Sequence, residues 1–522
     1  MHEVELILAL LVAVAGLATL ARLLRVSYPI LLVLAGLVLA VAPVVPDVVL
    51  APDLVFILFL PPLLYIAAFD TAIRDVRAML RPIISLAFGL VLATATAVAA
   101  VLHAVLPEIG WPAAFAFGAI VSPPDAVAAV AVLRRLSVPR RLVTLLEAES
   151  LFNDATALVI FRVAVIAMAT SASSFSFSDA SLRFVLIGAG GILVGVVVGM
   201  GIAYLRRHLA DAPVEIMVSL LTPFAAYLAA EWLGVSGVLA TVATGLCLGW
   251  WAPRIMDPEV RLRGRAVWEM VVFVMNGLVF LLIGLQLSSI LPSLVGRSPL
   301  TTIGLGLLIS LVVILVRFVW ILPAVVGVPI IGHRKDWPTV LLLSWAGMRG
   351  VVSLATALAL PLETPNRDLL LFLTFCVILV TLVGQGLTMP WLVSALGMMD
   401  DGIGAEQELH ARSVALKAAC RRIEQLAQEW PSHQPLVDAL KTQYGHRASH
   451  LHELHSSELD GDGRPLSEAA EQEVLEHGLI KRAVIDAERQ AVLELRQLGT
   501  IGDEAWRRVE RDLDLEELRL EA

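Results

Sequence analysis

Apolar residues in this chain gather into long unbroken runs instead of the short alternations of soluble strands and helices. Thirteen such runs recur between the first residues and about Leu396, at approximately 4–24, 28–43, 52–69, 83–106, 111–133, 141–169, 183–205, 213–233, 235–251, 266–291, 300–328, 337–361 and 368–396. Most approach or exceed the roughly 17 to 25 residues that carry a helix across about 30 Å of hydrocarbon. The pattern predicts an all-α polytopic membrane protein of thirteen transmembrane helices over residues 1–399. The first run opens on Glu3 and Glu5 and is followed by no small-residue cleavage site, so it is expected to remain as a span and not to leave as a signal. From residue 400 to 522 the pattern changes. Stretches such as IKRAVIDAERQAVLELRQLG are dense in charge with apolar residues at helical intervals, which predicts a soluble helical tail with a flexible break near ELDGDGRP.

Basic residues in the loops orient the spans, because Arg and Lys in short loops stay cytoplasmic. One set of loops carries 17 bases and the opposite set three, Arg183, Arg297 and Arg367. With thirteen spans this alternation places the N-terminus outside and the tail in the cytoplasm. Thirteen also parses as six spans, one linker and six more, the second six entering from the opposite side, as in the inverted repeats of secondary transporters. Matching positions carry matching interruptions. The fifth span contains Ser122-Pro123-Pro124-Asp125 and the twelfth Gly347-Met348-Arg349-Gly350. Paired proline removes backbone donors and paired glycine weakens a helix, so both segments are expected to be discontinuous near the membrane midplane and to cross there. Ordinary kinks are the alternative.

Composition agrees with the membrane assignment and adds a division of charge. Hydrophobic residues make up 58% of the chain and charged residues 16%, and the mean hydropathy is +0.83. The formal net charge of −9 belongs to the tail: from Asp401 onward 25 acids face 15 Lys and Arg, whereas residues 1–400 are nearly balanced. An acidic tail is repelled by anionic lipid and offers no basic patch for nucleic acid. Three cysteines suggest no disulfide framework.

The chemistry concentrates in ESLFNDATALVIF, residues 149–161. On a helix Ser150, Asn153 and Asp154 share one face, and hydroxyl, amide and carboxylate oxygens together suit a small hard cation. A bare carboxylate within the membrane costs several kcal/mol, so Asp154 is expected to hold a monovalent cation or a proton. A group that must choose between two cations is a minimal exchanger; a purely structural, satisfied Asp is the alternative. Asp125, directly after Pro124, is either a second ligand or the cap of the half-helix that begins there. Glu149 points about 100° away from Ser150 around the helix. Arg349 is its expected partner in an ion pair tying the two halves together; otherwise Glu149 is hydrated near the loop and Arg349 binds loose carbonyls. Arg162 and Arg317 lie near span ends and are expected to snorkel. Glu269 and Asn276 suit bonding between helices, His103 suits the interface, and His446, His450, His452 and His455 suit a solvated tail helix. The small-residue runs LATATAVAA and GAGGILVGVVVGMG predict close helix packing. No cofactor is implied. A channel and an intramembrane aspartyl protease are the competing classes, and the paired acids of the latter are not found.

GAIVSPPDAVAAVAVLRRL, then LLEAESLFNDATALV, then GMRGVVSLATALALP, with LPPLLY in span three and VTLVGQGLTMPWLV in span thirteen, resemble bacterial sodium/proton exchangers of the monovalent cation/proton antiporter type. The resemblance covers roughly residues 5–398. It implies a homodimer in the plasma membrane, each protomer carrying a core domain with two crossed broken helices, and exchange of Na+, with Li+ or K+ as alternatives, for H+. It makes Asp154 the ion- and proton-binding carboxylate, supported by Asn153 and Ser150, with Asp125 at the crossing and Glu149–Arg349 as a structural pair. Asn153 beside Asp154 resembles the electroneutral group. Two positions depart from the pattern: Ile66 stands where many relatives carry an acid, and Pro124 where others carry Thr.

Overall fold

The computed structural model describes residues 2–24, 26–41, 55–71, 76–77, 79–133, 136, 138–169, 177–209, 211–290, 298–325, 336–398, 403–445 and 483–495, with isolated residues beyond. The chain divides into two compact units, Met1–Asp401 and Gly402–Ala522. Among the described residues all regular structure is helical. The first unit runs α1 (His2–Leu23), α2 (Tyr28–Val41), α3 (Leu60–Asp70), α4 (Leu80–Val105), α5 (Trp111–Val121), α6 (Ala126–Leu133), α7 (Arg140–Ala169), α8 (Phe177–Arg206), α9 (Ala212–Trp232), α10 (Gly237–Ile255), α11 (Pro258–Leu285), α12 (Pro299–Ile321), α13 (Trp337–Trp345), α14 (Val351–Leu358) and α15 (Arg367–Ala395). The second unit holds α16 (Ile403–Glu429) and helical stretches at 434–445 and 483–495. The tail histidines 446 to 455 and the ELDGDGRP break lie outside the described residues.

Among the described residues ten helices are long and apolar enough to cross a membrane, counting α5 and α6 as one through their break, and Tyr28–Ala40 and Ile57–Asp70 are shorter apolar helices. The helix α13 and α14 pair adds two segments of 9 and 8 residues, each too short to cross by itself. Local chemistry sets many of the starts. Proline occupies the first turn of α5, α9, α11, α12 and α13, where its missing N–H costs nothing. Ser236 caps α10 by accepting from the Leu239 amide at 3.3 Å.

Close packing follows the small residues. Along α8, a Cβ at Gly191 or Gly195 would run into the Ser236 carbonyl or Ala240 of α10, and Thr244 of α10 donates to the Gly195 carbonyl at 2.8 Å. The GAGGILVGVVVGMG run thus seats α8 on α10, as expected. In α4 the LATATAVAA run meets α5, where Ala95 lies against Gly118. Helix α7 carries the acidic motif and packs on α5 and α4, which brings its polar face against the break between α5 and α6.

Candidate functional site

Helix α5 stops at Val121 because Pro123 and Pro124 cannot donate to the preceding turn, and α6 begins five residues later, at Ala126. The second interruption, residues 346–350, separates α13 from α14. The two breaks touch: the Asp125 amide donates to the Met348 carbonyl at 2.6 Å. Four half-helix ends therefore meet at one level, two positive N-termini and two negative C-termini.

One acid and one arginine serve these ends. The Asp125 carboxylate accepts from the Val127 amide at 2.8 Å, and the amides of Ala128 and Val351 also point at it. It caps the starts of α6 and α14 together. A Cβ on Gly350 would overlap this carboxylate, so glycine is needed there for space. Of the two roles open to Asp125 in the sequence, the geometry displays the capping contacts. Arg349 does the complementary work. Its guanidinium donates to the Val121 carbonyl at 3.1 Å, to the Ser122 carbonyl at 3.5 Å and to the Gly347 carbonyl, and its amide donates to the Thr381 hydroxyl at 3.0 Å.

The expected ion pair between Glu149 and Arg349 is not formed. Glu149 pairs instead with Arg317 of α12, in a two-pronged contact whose second bond is 2.8 Å, and Arg317 also donates to the Leu343 carbonyl at 2.9 Å. Both side chains are 1% exposed. The reason is positional: the loose carbonyls of the breaks already occupy Arg349, and Arg317 enters over Gly347, where a Cβ would strike its side chain. Arg317 does not snorkel. The signal that locates it is the buried stripe of α12, Thr302, Gly306, Ser310, Val313, Arg317 and Ile321, on which the arginine falls in phase.

The remaining motif residues line the first break. The Ser150 hydroxyl donates to the Pro124 carbonyl at 3.3 Å and accepts from the Ala126 amide at 3.2 Å. The Asn153 amide donates to the same Pro124 carbonyl at 3.4 Å, and its Oδ1 is buried with no donor. Pro124, Ser150 and Asn153 thus form one oxygen-rich patch, and Asp154 follows Asn153 on the same helix, four residues past Ser150. Asp154, at 5% exposure, makes no hydrogen bond or ion pair among the described residues, and the charged neighbour acting on it is another acid, Asp125. Among the described residues three acids are buried: Glu149, Asp154 and Glu215. Glu149 has Arg317, and Glu215 has Arg206 at 2.8 Å. Asp154 alone of the three has no arginine.

Other expected positions resolve as follows. Arg162, expected to snorkel, pairs with Glu231 of α9 at 2.5 Å. Glu269 is exposed and pairs along its own helix with Arg265 at 3.3 Å, and among the described residues this is its ion pair, not a bond to a neighbouring helix. Asn276 is buried in α11. The His103 ring meets the Ile109 carbonyl at 2.8 Å. Ile66 packs beside Tyr65, Ala203, Leu248 and Trp268.

Residues 7–395 match the family model described as sodium/hydrogen exchanger, transmembrane. The chain belongs to the sodium/hydrogen exchanger family. An uncharacterised Na(+)/H(+) exchanger of Mycobacterium tuberculosis is 36% identical over 98% of this chain and 95% of its own length. The Na(+)/H(+) antiporter ApNhaP of Aphanothece halophytica is 34% identical over 81% of this chain and 80% of its own. The sodium, potassium, lithium and rubidium/H(+) antiporter of Bacillus subtilis is 35% identical over 70% of this chain and 58% of its own. Among solved structures, the sodium proton antiporter MjNhaP1 of Methanocaldococcus jannaschii shares the fold, with a TM-score of 0.61 at 21% identity over 76% of this chain and 99% of that one. As a sodium/hydrogen exchanger the protein is a multi-pass secondary transporter of the cation/proton antiport class and not an enzyme.

Proposed function

We propose that the protein exchanges Na+, with Li+ at the same site, for H+ across the bacterial plasma membrane, one proton per cation, with Asp154 as the carboxylate that carries either. The observation behind this reading is the missing partner: Asp154 is buried at 5% exposure without an arginine, while Glu149 and Glu215 have theirs. The effective desolvation penalty for such a charge is several kcal/mol, so a bare Asp154 is costly and a neutralised one is not. Either Na+ or H+ removes the penalty, and both cannot do so at once. The neutral oxygens of Pro124, Ser150 and Asn153 are suited to complete a cation's shell beside it, the orphaned Asn153 Oδ1 first among them. Because the Asp125 charge is spent on capping two helix starts, one exchangeable carboxylate remains, which favours electroneutral exchange.

In this reading the membrane unit is thirteen spans, six and six in inverted repeats about α8, the broken pairs α5/α6 and α13/α14 forming the two crossed helices. The N-terminus is outside, the tail is cytoplasmic and regulatory, and two chains form a homodimer set in lipid. The site faces alternate sides only when occupied, in the service of pH and sodium homeostasis. Exchange of K+ by the same machinery is the second reading, favoured by the sodium, potassium, lithium and rubidium specificity in the name of the Bacillus subtilis relative. Proteoliposomes loaded with a pH dye and challenged with Na+, Li+, K+ or Rb+ decide between them: proton flux with Na+ and Li+ alone supports the first, and equal flux with K+ replaces it by the second.

A further inference from the structure

Three arginines converge on a pair of tryptophans near the ends of three membrane helices. Trp250 and Trp251 stand near the C-terminus of α10. The guanidinium of Arg207, just past α8, lies 5.4 Å from the centre of the Trp251 ring, and that of Arg254, in the last turn of α10, lies 5.6 Å from it. Arg77, on the segment before α4, lies 6.0 Å from the Trp250 ring. All three arginines are exposed, and none forms an ion pair among the described residues. Neighbouring arginines differ: Arg206 pairs with Glu215, Arg263 with Glu259, Arg265 with Glu269, and Arg261 donates to the Met256 carbonyl.

Stacking on an indole occupies the flat face of a guanidinium and fixes its orientation, while its in-plane N–H groups stay available for the two oxygens of a phosphate. Two like charges held against one ring repel each other unless an anion lies beside them. Tryptophan and arginine at the end of a membrane helix sit at headgroup depth, on the side where positive loops accumulate, so the anion within reach is the phosphate of an acidic lipid. The exposed side chains Leu193, Val197, Met200 and Tyr204, at helical spacing on α8, run from Arg207 toward the membrane interior along the course an acyl chain takes.

We propose that Arg77, Arg207 and Arg254, preorganised by Trp250 and Trp251, form a binding site for the phosphate of an anionic phospholipid. Arg207 belongs to the end of α8, Arg254 to α10, and Arg77 to the approach to α4, which packs on α5 and α7 of the ion site. The lipid bridges helices that hold the ion site and helices that do not.

The test uses the full-length protein purified in neutral detergent, with thermal unfolding as the readout, so its outcome is independent of the exchange reading. Phosphatidylglycerol, phosphatidylcholine and inorganic phosphate are titrated separately. Stabilisation by phosphatidylglycerol alone is expected, with affinity falling about fivefold for each arginine neutralised in Arg207→Gln, Arg254→Gln and their double variant. Arg263→Gln, which removes an already paired arginine on the same side, is expected to respond as wild type. An undiminished response in the double variant overturns the site, and equal stabilisation by inorganic phosphate overturns the lipid as its ligand. Should the double variant fail to fold, native mass spectrometry of the wild type decides: retained phosphatidylglycerol over phosphatidylcholine supports the proposal, and no such preference overturns it.

Discussion

Replacing Arg317 removes both hydrogen bonds to Glu149 and the bond to the Leu343 carbonyl, all at a site where donor and acceptor are 1% exposed. Stripping one partner from a buried pair costs about 3–5 kcal/mol, because the other charge is left uncompensated in a poorly solvating interior. The unsatisfied Leu343 carbonyl adds about 1–3 kcal/mol. Arg317→Gln is therefore expected to consume much of the roughly 5–15 kcal/mol that typically separates folded from unfolded protein. Glu149→Gln strands Arg317 in the same way. The double variant strands neither, so its cost should fall below the sum of the singles by about 2–3 kcal/mol, the upper end for residues in contact. Equilibrium unfolding in mixed micelles measures all four corners of this cycle. A second cycle with Arg349→Gln is the control: Arg349 is bonded to carbonyls, so its coupling to Glu149 should be less than half as large. Coupling to Arg349 equal to or above that to Arg317 refutes the assignment of the pair.

Gly350→Ala should displace the Asp125 carboxylate and uncap α6 and α14, cutting exchange at least tenfold in proteoliposomes while Gly384→Ala, which meets nothing within 4 Å, leaves it near wild type. Arg162→Gln breaks a pair that is 37% and 32% exposed, and such pairs contribute about 0–1 kcal/mol, so its thermal midpoint should move far less than that of Arg317→Gln. A chain ending at Asp400 should insert and exchange, with altered pH dependence; loss of all exchange in well-inserted protein contradicts a regulatory tail.

The spans were legible because hydrocarbon leaves no choice: unpaired backbone groups are too costly there, so long apolar runs read directly as helices. The interruptions were legible for the opposite reason, since Pro123-Pro124 and Gly347/Gly350 break the one structure the membrane allows. Placing both breaks at matching depth brings their loose backbone groups together, and the contact between the Asp125 amide and the Met348 carbonyl is the particular form this takes. The partner of Glu149 was not legible. Sequence spacing relates residues on one helix, and the choice between Arg317 and Arg349 is made between helices, by which arginine the loose carbonyls have already claimed. The nearness of Arg317 to the end of α12 suggests snorkelling, although its phase with Thr302, Gly306 and Ser310 marks the inward face. The role of Asp125 stayed open for a similar reason, because the second helix start it caps, at Val351, lies more than 200 residues away in the chain.

The central claim is that one carboxylate, Asp154, carries either cation or proton. The direct measurement is cation-driven proton flux in proteoliposomes of wild type and Asp154→Asn, at several pH values and Na+ concentrations. The account predicts that the Na+ concentration for half-maximal flux rises as pH falls, the mark of competition for one group, and that Asp154→Asn abolishes the flux while inserting normally. Undiminished flux in Asp154→Asn, or half-maximal Na+ independent of pH, contradicts it.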